Sequence, residues 1–270
     1  MKKLQLEEIK TIQLDILKHF NSFCQQNDIT YFLSNGTALG AVKYGGYIPW
    51  DDDIDVCLLR HDYEKFINIY KEKSLNEKYE LFSLQTNGKY AFPFAKLSDT
   101  STILNEHNVD NGAQLGINID IFPLDGFGEN LNESKKIFKK FKRIRKKLYW
   151  SKLNCYSSSN PFKVFAKFLI ANYYKIVGAR SFCEKIDILA KNHSCNDNYI
   201  GNVVWGFYGD GEAHEKSVFS NTILFPFEDT KYPIPKEFDT YLKKLYGDYK
   251  LDPPLKKQVS HHIFDAYSKD

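Results

Sequence analysis

Four aspartates fall within five positions, and they are the residues of this chain best suited to chemistry. Asp51, Asp52, Asp53 and Asp55 follow a Pro-Trp corner and precede the apolar run 56–59. Side chains alternate between the two faces of a strand, so Asp53 and Asp55 are expected to point the same way. Two carboxylates at the end of a buried strand suit Mg²⁺, which leaves coordination sites open for substrate phosphates. The alternative is a solvated acidic turn that caps the next helix.

A run of small and hydroxyl-bearing residues comes about 16 positions before these acids. Asn35-Gly36-Thr37 and Gly40 are predicted to form a turn whose backbone N–H groups can approach a phosphate closely. Residues 38–43 are predicted to follow as a short helix with its N-terminus towards that phosphate. A phosphate-binding turn beside clustered carboxylates indicates phosphoryl transfer assisted by a divalent cation.

The acidic stretch also carries a family resemblance. Residues 36–56, GTALGAVKYGGYIPWDDDIDV, resemble a block of the LicD family of phosphocholine transferases. That family is a branch of the nucleotidyltransferase-fold superfamily, together with fukutin and fukutin-related protein. Residues 95–100, 117–126 and 233–262 resemble further blocks of the family, in the same order. Gly36-Thr37 stands where the superfamily has Gly-Gly or Gly-Ser, and only the stretch from about 130 to 200 resembles nothing in the family.

The resemblance implies a fold. We expect an α+β protein with a nucleotidyltransferase-like mixed sheet flanked by helices. Because no internal repeat or low-complexity linker interrupts the sequence, residues 1–270 are expected to form a single domain. Residues 130–200 are expected to form a basic, helical insertion within it.

The resemblance also implies an activity. It predicts transfer of phosphocholine from CDP-choline to a sugar hydroxyl of a cell-surface glycan precursor, such as teichoic acid, capsule or lipopolysaccharide, with release of CMP. The acceptor is expected to be lipid-linked. In a second hypothesis, the protein transfers ethanolamine, glycerol or ribitol phosphate from another CDP-alcohol. In a third, it transfers the nucleotide itself. From another class comes a non-enzymatic protein that binds membrane or nucleic acid.

Specific residues follow from the matched blocks. The resemblance assigns Mg²⁺ (or Mn²⁺) to Asp53, Asp55 and Asp120, and the same three acids with His262 are the expected catalytic residues. Asp120 either completes the coordination or takes the acceptor's proton. Trp50 is the nearest candidate for an aromatic cage around trimethylammonium. The expected substrate-binding residues are Gly36, Thr37, Lys43, Trp50, Asp52, Lys96 and His261.

Two of these assignments have plain structural alternatives. Lys96 could be an edge lysine with a packed stem and its amine in solvent, instead of a residue that neutralises a substrate phosphate. His261 and His262 could be surface residues near the C-terminus, instead of groups that donate a hydrogen bond or positive charge to a phosphate.

Composition excludes several classes of protein. Of the 270 residues, 43% are hydrophobic and 16% aromatic, which allows a sizeable core and argues against disorder. The five cysteines are scattered without a C-x-x-C pair, which argues against a disulfide framework or a zinc site and for a reducing compartment. The N-terminus lacks the apolar region of a signal peptide, and no apolar run approaches the ~20 residues of a membrane span. We expect a cytoplasmic protein, peripheral at the inner face of the cell membrane.

Positive charge is concentrated in one segment. Residues 135–147 carry nine Lys or Arg and no acid, although the net charge of the chain is only +3. Together with the aromatic-rich stretch 161–178, this segment resembles interfacial helices, so an anionic membrane surface is an expected partner of residues 135–178. The alternative is a helix packed on the body with merely solvated charges. No nucleic-acid motif accompanies the charge, and no nucleic-acid partner is expected.

Hydrophobic periodicity gives a coarse map of the elements. Helices are predicted at residues 4–27, 38–43, 62–70, 134–150, 161–178, 182–191 and 237–246. Strands are predicted at 29–33, 53–59, 79–84, 92–97, 117–122 and 199–207, with Pro123 ending the fifth. Glu212, His214 and Glu215 fall in a Gly-rich stretch that is interpreted as a surface loop.

Overall fold

The computed structural model describes residues 1–73, 77–107, 112–153, 161–259 and 264–269. His261 and His262 lie outside these ranges, so their roles stay predictions. Within the described residues, α-helices flank mixed β-sheet, which confirms the predicted α+β class.

The elements are numbered in chain order. The helices are α1 (Leu6–Gln26), α2 (Asn35–Tyr44), α3 (Arg60–Lys73), α4 (Leu131–Lys152), α5 (Pro161–Val177), α6 (Ala179–Lys191) and α7 (Phe238–Tyr246). The strands are β1 (Lys2–Lys3), β2 (Phe32–Leu33), β3 (Asp55–Leu59), β4 (Tyr79–Phe82), β5 (Ala95–Asp99), β6 (Thr102–Glu106), β7 (Asn118–Gly126), β8 (Tyr199–Gly201), β9 (His214–Glu215), β10 (Thr222–Phe227), β11 (Thr230–Pro235) and β12 (Phe264–Ser268).

A mixed sheet forms the centre of the fold. Its strand order is β2-β3-β7-β5-β4, in which β3 and β7 are parallel and the other neighbours are antiparallel. Helices α1 and α3 pack against this sheet. Because β7 lies between β3 and β5, Asp55, Asp120 and Lys96 come from three adjacent strands.

Helix α1 follows its predicted position closely. Its buried side chains lie on one face of the helix, and all but one are apolar. They are Ile9, Gln13, Ile16, Leu17, Phe20 and Cys24. The Glu8 carboxylate accepts a hydrogen bond of 2.9 Å from the Gln5 N–H, which closes the N-terminus of the helix as a capping box.

Strand β7 is longer than predicted. Pro123 was expected to end it because proline has no N–H to donate, yet the strand continues to Gly126. The pairing of β5 with β7 stops at Ile121, and the pairing with β8 begins at Asp125. Since no antiparallel neighbour lies beside Pro123, the missing N–H costs no bond on that side. The predicted strand over 199–207 was too long, because β8 ends at Gly201.

Helices α4, α5 and α6 fall between β7 and β8 in sequence, and α4 packs against both others. A buried ion-pair cluster ties α6 to the sheet. Arg60 on α3 donates to both carboxylate oxygens of Asp125 on β7 at 2.6 and 2.7 Å, and to Asp187 on α6 at 2.8 Å. Hydrogen bonds in this geometry offset the cost of burying the three charges. Whether residues 130–200 are an insertion in a single domain stays a prediction.

The described helices include none with both the length and the apolar character that a bilayer crossing requires.

Candidate active site

Two aspartates lie side by side at the start of parallel pairing. In the register of β3 and β7, Asp55 is the partner of Asp120, and the Asp120 N–H donates to the Ile54 carbonyl at 2.9 Å. Neighbouring strands are about 4.8 Å apart, so the side chains of register partners project from the same face at short separation. Both residues line one cavity. The structure therefore brings together two of the three predicted metal ligands.

Asp53, the third predicted ligand, lies before β3 and not in it, because pairing begins only at Asp55. It lines the same cavity. Burial, with repulsion from Asp55 and Asp51, raises the pKa of Asp53 well above its usual range, and burial with repulsion from Asp120 raises the pKa of Asp55 to about 7. Negative charge is therefore unfavourable here, and a bound cation would relieve it.

The first turn of α2 holds Asp55 in place. The Asn35 side-chain amide donates to Asp55 Oδ2 at 3.0 Å, and the hydroxyl of Thr37 accepts the Asp55 N–H at 2.8 Å. The Ser34 N–H donates to the Asp55 carbonyl at 3.0 Å. Residues 35–37 are thus helical, and the predicted turn was wrong. The reason is that Asn35, at φ +46°, makes the sharp entry into the helix by itself.

Gly36 allows an acidic side chain to approach this helix. A Cβ atom at Gly36 would lie 2.6 Å from Asp51 Oδ2. The N-terminus of a helix carries partial positive charge, which stabilises a carboxylate at that place. Asp51 therefore lies where the sequence predicted a phosphate, and both residues line the cavity.

Lys96 is buried among the acids. Lys96 on β5 is the register partner of Asp120 on β7. Its ammonium forms an ion pair with the Asp120 carboxylate and donates a 3.1 Å hydrogen bond to Asn118 Oδ1. Burial lowers the pKa of Lys96, but attraction from Asp120 and Glu106 outweighs it, so the pKa lies above its usual value. The interpretation that places this amine in solvent was wrong. A role in neutralising a substrate phosphate stays a prediction.

The cavity above these acids has a volume of about 970 Å³, which is large enough for a nucleotide-sized ligand. Lys43 and Trp50 both line it, and their roles in substrate binding stay predictions. The Lys43 ammonium pairs with Asp252 at 2.6 Å, and the Trp50 ring lies 6.2 Å from the ring of Tyr44.

Three predicted substrate-binding residues do not line the cavity, namely Lys96, described above, and two others. Thr37 and Asp52 are buried and are not among the residues that line the cavity. The Thr37 hydroxyl supports β3, and the Asp52 carbonyl accepts a 3.0 Å hydrogen bond from the side-chain amide of Gln13. The structure thus gives both residues supporting positions beside the acids.

The donor set at the base of the cavity fits a hard divalent cation. Asp53, Asp55 and Asp120 offer only carboxylate oxygens, and their crowding disfavours the uncompensated charges. In the described ranges, no three His, Cys, Asp or Glu side chains are arranged to enclose a metal. Mg²⁺ does not need such a cage, since it takes one or two carboxylates and completes its shell with water and phosphate oxygens.

Comparison with known proteins agrees with this geometry. The nucleotidyltransferase domain of LicD/FKTN/FKRP proteins matches residues 28–149. Lipopolysaccharide cholinephosphotransferase LicD of Haemophilus influenzae is 29% identical over 275 residues, which cover 99% of each chain. Residues 28–149 thus form a LicD-family nucleotidyltransferase domain. Uncharacterized proteins of Rickettsia typhi and Rickettsia prowazekii are each 35% identical to 23% of this chain, over 20% and 24% of their own lengths.

The matched LicD domain contains the acids and Lys96, whereas the far wall of the cavity comes from later residues. Sequence reasoning missed this wall. The wall includes three aromatic residues of one segment, Trp205, Phe207 and Tyr208. It also includes Glu212 and Tyr246. The Gly-rich stretch 201–211 was the only sequence feature that pointed to it, because close backbone approach favours glycine.

Glu212 holds this wall in shape. Its Oε1 accepts the Phe207 and Tyr208 N–H groups at 2.7 and 3.0 Å. A Cβ atom at Gly206 would lie 2.5 Å from Glu212 Cδ, so the glycine permits the contact. Burial raises the pKa of Glu212 to about 7, although those two N–H groups act in the opposite direction. The surface-loop interpretation of Glu212 and His214 was therefore wrong, since both are buried, while Glu215 is exposed.

Proposed function

We propose that this protein transfers phosphocholine from CDP-choline to a sugar hydroxyl of a cell-surface glycan precursor and releases CMP. The observation that carries the proposal is the pairing of Asp55 with Asp120 at the base of a cavity of about 970 Å³. The LicD-family domain supports the transferase class, and the Haemophilus influenzae relative is named for a lipopolysaccharide acceptor.

The acids of the cavity fit a divalent metal cofactor, Mg²⁺ or Mn²⁺. Asp53 and Asp55 would hold the ion with Asp120, and the ion would neutralise charge on the donor's diphosphate. Asn35 fixes the orientation of the Asp55 carboxylate through its 3.0 Å hydrogen bond. A fixed carboxylate loses less freedom when it binds, which favours both affinity and orientation.

The transfer itself is a displacement at phosphorus. The acceptor hydroxyl oxygen forms a bond to the β-phosphorus, and the bond from that phosphorus to the oxygen of CMP breaks. The hydroxyl proton needs an acceptor within hydrogen-bond reach. If Asp120 does not complete the coordination of the ion, it is the candidate for this role, because it lies at the base of the cavity beside Asp55.

The choline headgroup is expected against the aromatic walls. A quaternary ammonium makes no hydrogen bond and is attracted to the faces of aromatic rings, most strongly to tryptophan. The cavity presents two such faces: Trp50 beside Tyr44, and Trp205 with the Phe207 ring 5.7 Å away. This chemistry favours choline over a CDP-alcohol with a neutral polyol.

The acceptor is expected to be lipid-linked, and the enzyme is expected to work as a peripheral protein at the inner face of the cell membrane. The exposed apolar surface of α5 supports this part of the proposal. A nucleic-acid partner is not expected.

Calorimetry and product analysis test the proposal together. CDP-choline, CDP-ethanolamine, CDP-glycerol and CDP-ribitol are titrated into the protein with Mg²⁺, and the tightest binding is expected for CDP-choline. Incubation with a glycan acceptor should then give CMP and a phosphocholine-modified glycan, and chelation of the metal with EDTA should stop the reaction. Tight binding of another donor without CDP-choline binding would overturn the choice of donor. Release of phosphocholine, with CMP attached to the glycan, would instead indicate nucleotide transfer.

A further inference from the structure

Helix α5 exposes a row of large apolar side chains. Phe165, Leu169, Tyr173 and Ile176 are 61%, 52%, 64% and 87% exposed. Their spacing of four, four and three residues places them on one face of a helix with 3.6 residues per turn. Ala171, which is fully buried, lies on the opposite face, where α5 packs against α4. We call these four residues the apolar row.

The chain segment that contains the apolar row carries charge of one sign. From residue 134 to residue 183 the chain holds 14 Lys or Arg and no Asp or Glu. Of the nine cations in 135–147, eight are exposed and only Arg145 is buried. Exposed apolar residues beside exposed cations match an anionic bilayer, whose headgroups attract the lysines while its acyl boundary takes up the apolar side chains.

We propose that the apolar row and the basic face of α4 dock the enzyme on an anionic lipid bilayer. Nucleic acid is a weaker candidate for this surface, because its phosphates would pair with the cations and leave the apolar row in water. A second copy of the chain is also weaker, because residues 134–183 hold no acid that could offset the α4 cations of two copies.

Helix α4, which carries the basic face, ends close to the wall of the cavity. At the end of α4, the Lys152 ammonium lies 3.3 Å from the centre of the Phe92 ring. The Phe92 ring in turn lies 5.7 Å from Trp205, which lines the cavity. A bilayer held by α4 and α5 would therefore present lipid-linked acceptors near the cavity. This last step rests on the proposed function, whereas the docking itself does not.

Vesicle flotation with the full chain tests the docking. The vesicles are phosphatidylcholine alone, or an equimolar mixture of phosphatidylcholine and phosphatidylglycerol. The test variant carries Phe165→Glu, Leu169→Glu and Tyr173→Glu. The control is Leu224→Glu, because Leu224 is 61% exposed on the β10–β11 hairpin, away from α5. Thermal melting and light scattering are recorded for each protein.

We expect the wild-type protein and the control to float with the mixed vesicles and to bind phosphatidylcholine at least about tenfold more weakly. The triple variant should lose at least about tenfold in binding with an unchanged melting temperature, because its substituted side chains are exposed. Equal binding of wild type and triple variant to the mixed vesicles would overturn the proposal. A wild-type dimer that the triple substitution dissociates, without vesicle binding, would overturn it in favour of a contact between copies.

CMP release from CDP-choline with a water-soluble glycan fragment separates this proposal from the proposed function. The triple variant should retain wild-type turnover of the soluble acceptor and lose turnover of a vesicle-bound one. If the wild-type protein released no CMP with the water-soluble acceptor, the result would count against the proposed function alone.

Discussion

The side-chain amide of Asn35 donates a 3.0 Å hydrogen bond to Asp55 Oδ2 from a backbone held at φ +46°. Few residues accept that conformation without strain, and asparagine is one of them. One residue thus makes the entry into α2 and orients a site carboxylate. This double role differs from the predicted one, in which residues 35–37 formed a turn with backbone N–H groups facing a phosphate.

Substitution of Asn35 can separate these two roles. Asn35→Gly keeps the left-handed backbone and removes only the hydrogen bond, so we expect kcat to fall by about tenfold or more with little change in melting temperature. Asn35→Ala loses the bond and also strains the backbone, so it should be less stable than Asn35→Gly by about 1 kcal/mol. Equal activity of Asn35→Gly and wild type would contradict the orienting role.

The Lys96 and Asp120 ion pair should matter for stability as well as for chemistry. Lys96→Met leaves the Asp120 carboxylate without its ammonium in a largely buried place, and we expect a loss of about 3 kcal/mol in the free energy of unfolding. Adding Asp120→Asn removes the uncompensated charge and should recover part of that loss. Urea denaturation of the two single variants and the double variant measures the coupling. Strictly additive losses would show that the pair contributes nothing as a pair.

Glu212 predicts a pH dependence of stability with a definite sign. Because burial raises its pKa to about 7 in the folded state, the folded protein binds this proton more tightly than the unfolded chain. The stability linked to this proton is present below the unfolded-state pKa of about 4.3 and is lost as the pH rises to the folded-state pKa.

Glu212→Gln keeps the acceptor oxygen for the Phe207 and Tyr208 N–H groups and removes the titration. Relative to the wild type, the variant should gain up to about 3 kcal/mol in unfolding free energy between pH 5 and pH 8. Denaturant melts at several pH values measure this difference. If the difference in unfolding free energy between Glu212→Gln and wild type stayed constant from pH 5 to pH 8, the raised pKa of Glu212 would be refuted.

The three tryptophans provide a matched test of the choline site. Trp50 and Trp205 line the cavity, whereas Trp150 on α4 is not among the lining residues. We expect Trp50→Ala and Trp205→Ala to weaken CDP-choline binding by about tenfold and to weaken CDP-glycerol binding much less, because only choline carries the cation that the rings attract. Trp150→Ala should leave both affinities unchanged. Similar losses for both donors would point to general packing damage.

The base of the site could be predicted from the sequence because its residues lie in local patterns. The Asp53 and Asp55 spacing needs only the alternation of a strand, and Asp120 lies in an apolar run that reads as a strand. Asp55 and Asp120 lie close together because β3 and β7 are parallel neighbours. That Asp120 would join the other two acids was implied by the family resemblance and not by periodicity.

The rest of the site could not be predicted, for physical reasons. The burial of Glu212 and its contacts with Phe207 and Tyr208 arise when the Gly-rich segment folds against α4, and nothing local to the segment indicates this. One of the two interpretations of Lys96 placed it at a sheet edge, but β5 lies inside the sheet between β4 and β7. The strand β1 has two exposed lysines and no apolar alternation, so only its partner β12 defines it.

Phosphorus NMR of CDP-choline, Mg²⁺ and a glycan acceptor with wild-type protein and Asp55→Asn tests the central claim most directly. We predict that the wild type replaces the diphosphate resonances with those of CMP and a phosphodiester. The folded Asp55→Asn variant should leave the diphosphate intact, because the carboxylate beside Asp120 is gone. Turnover by Asp55→Asn at the wild-type rate, or free phosphocholine with a CMP-modified glycan as the product of the wild type, would contradict the account.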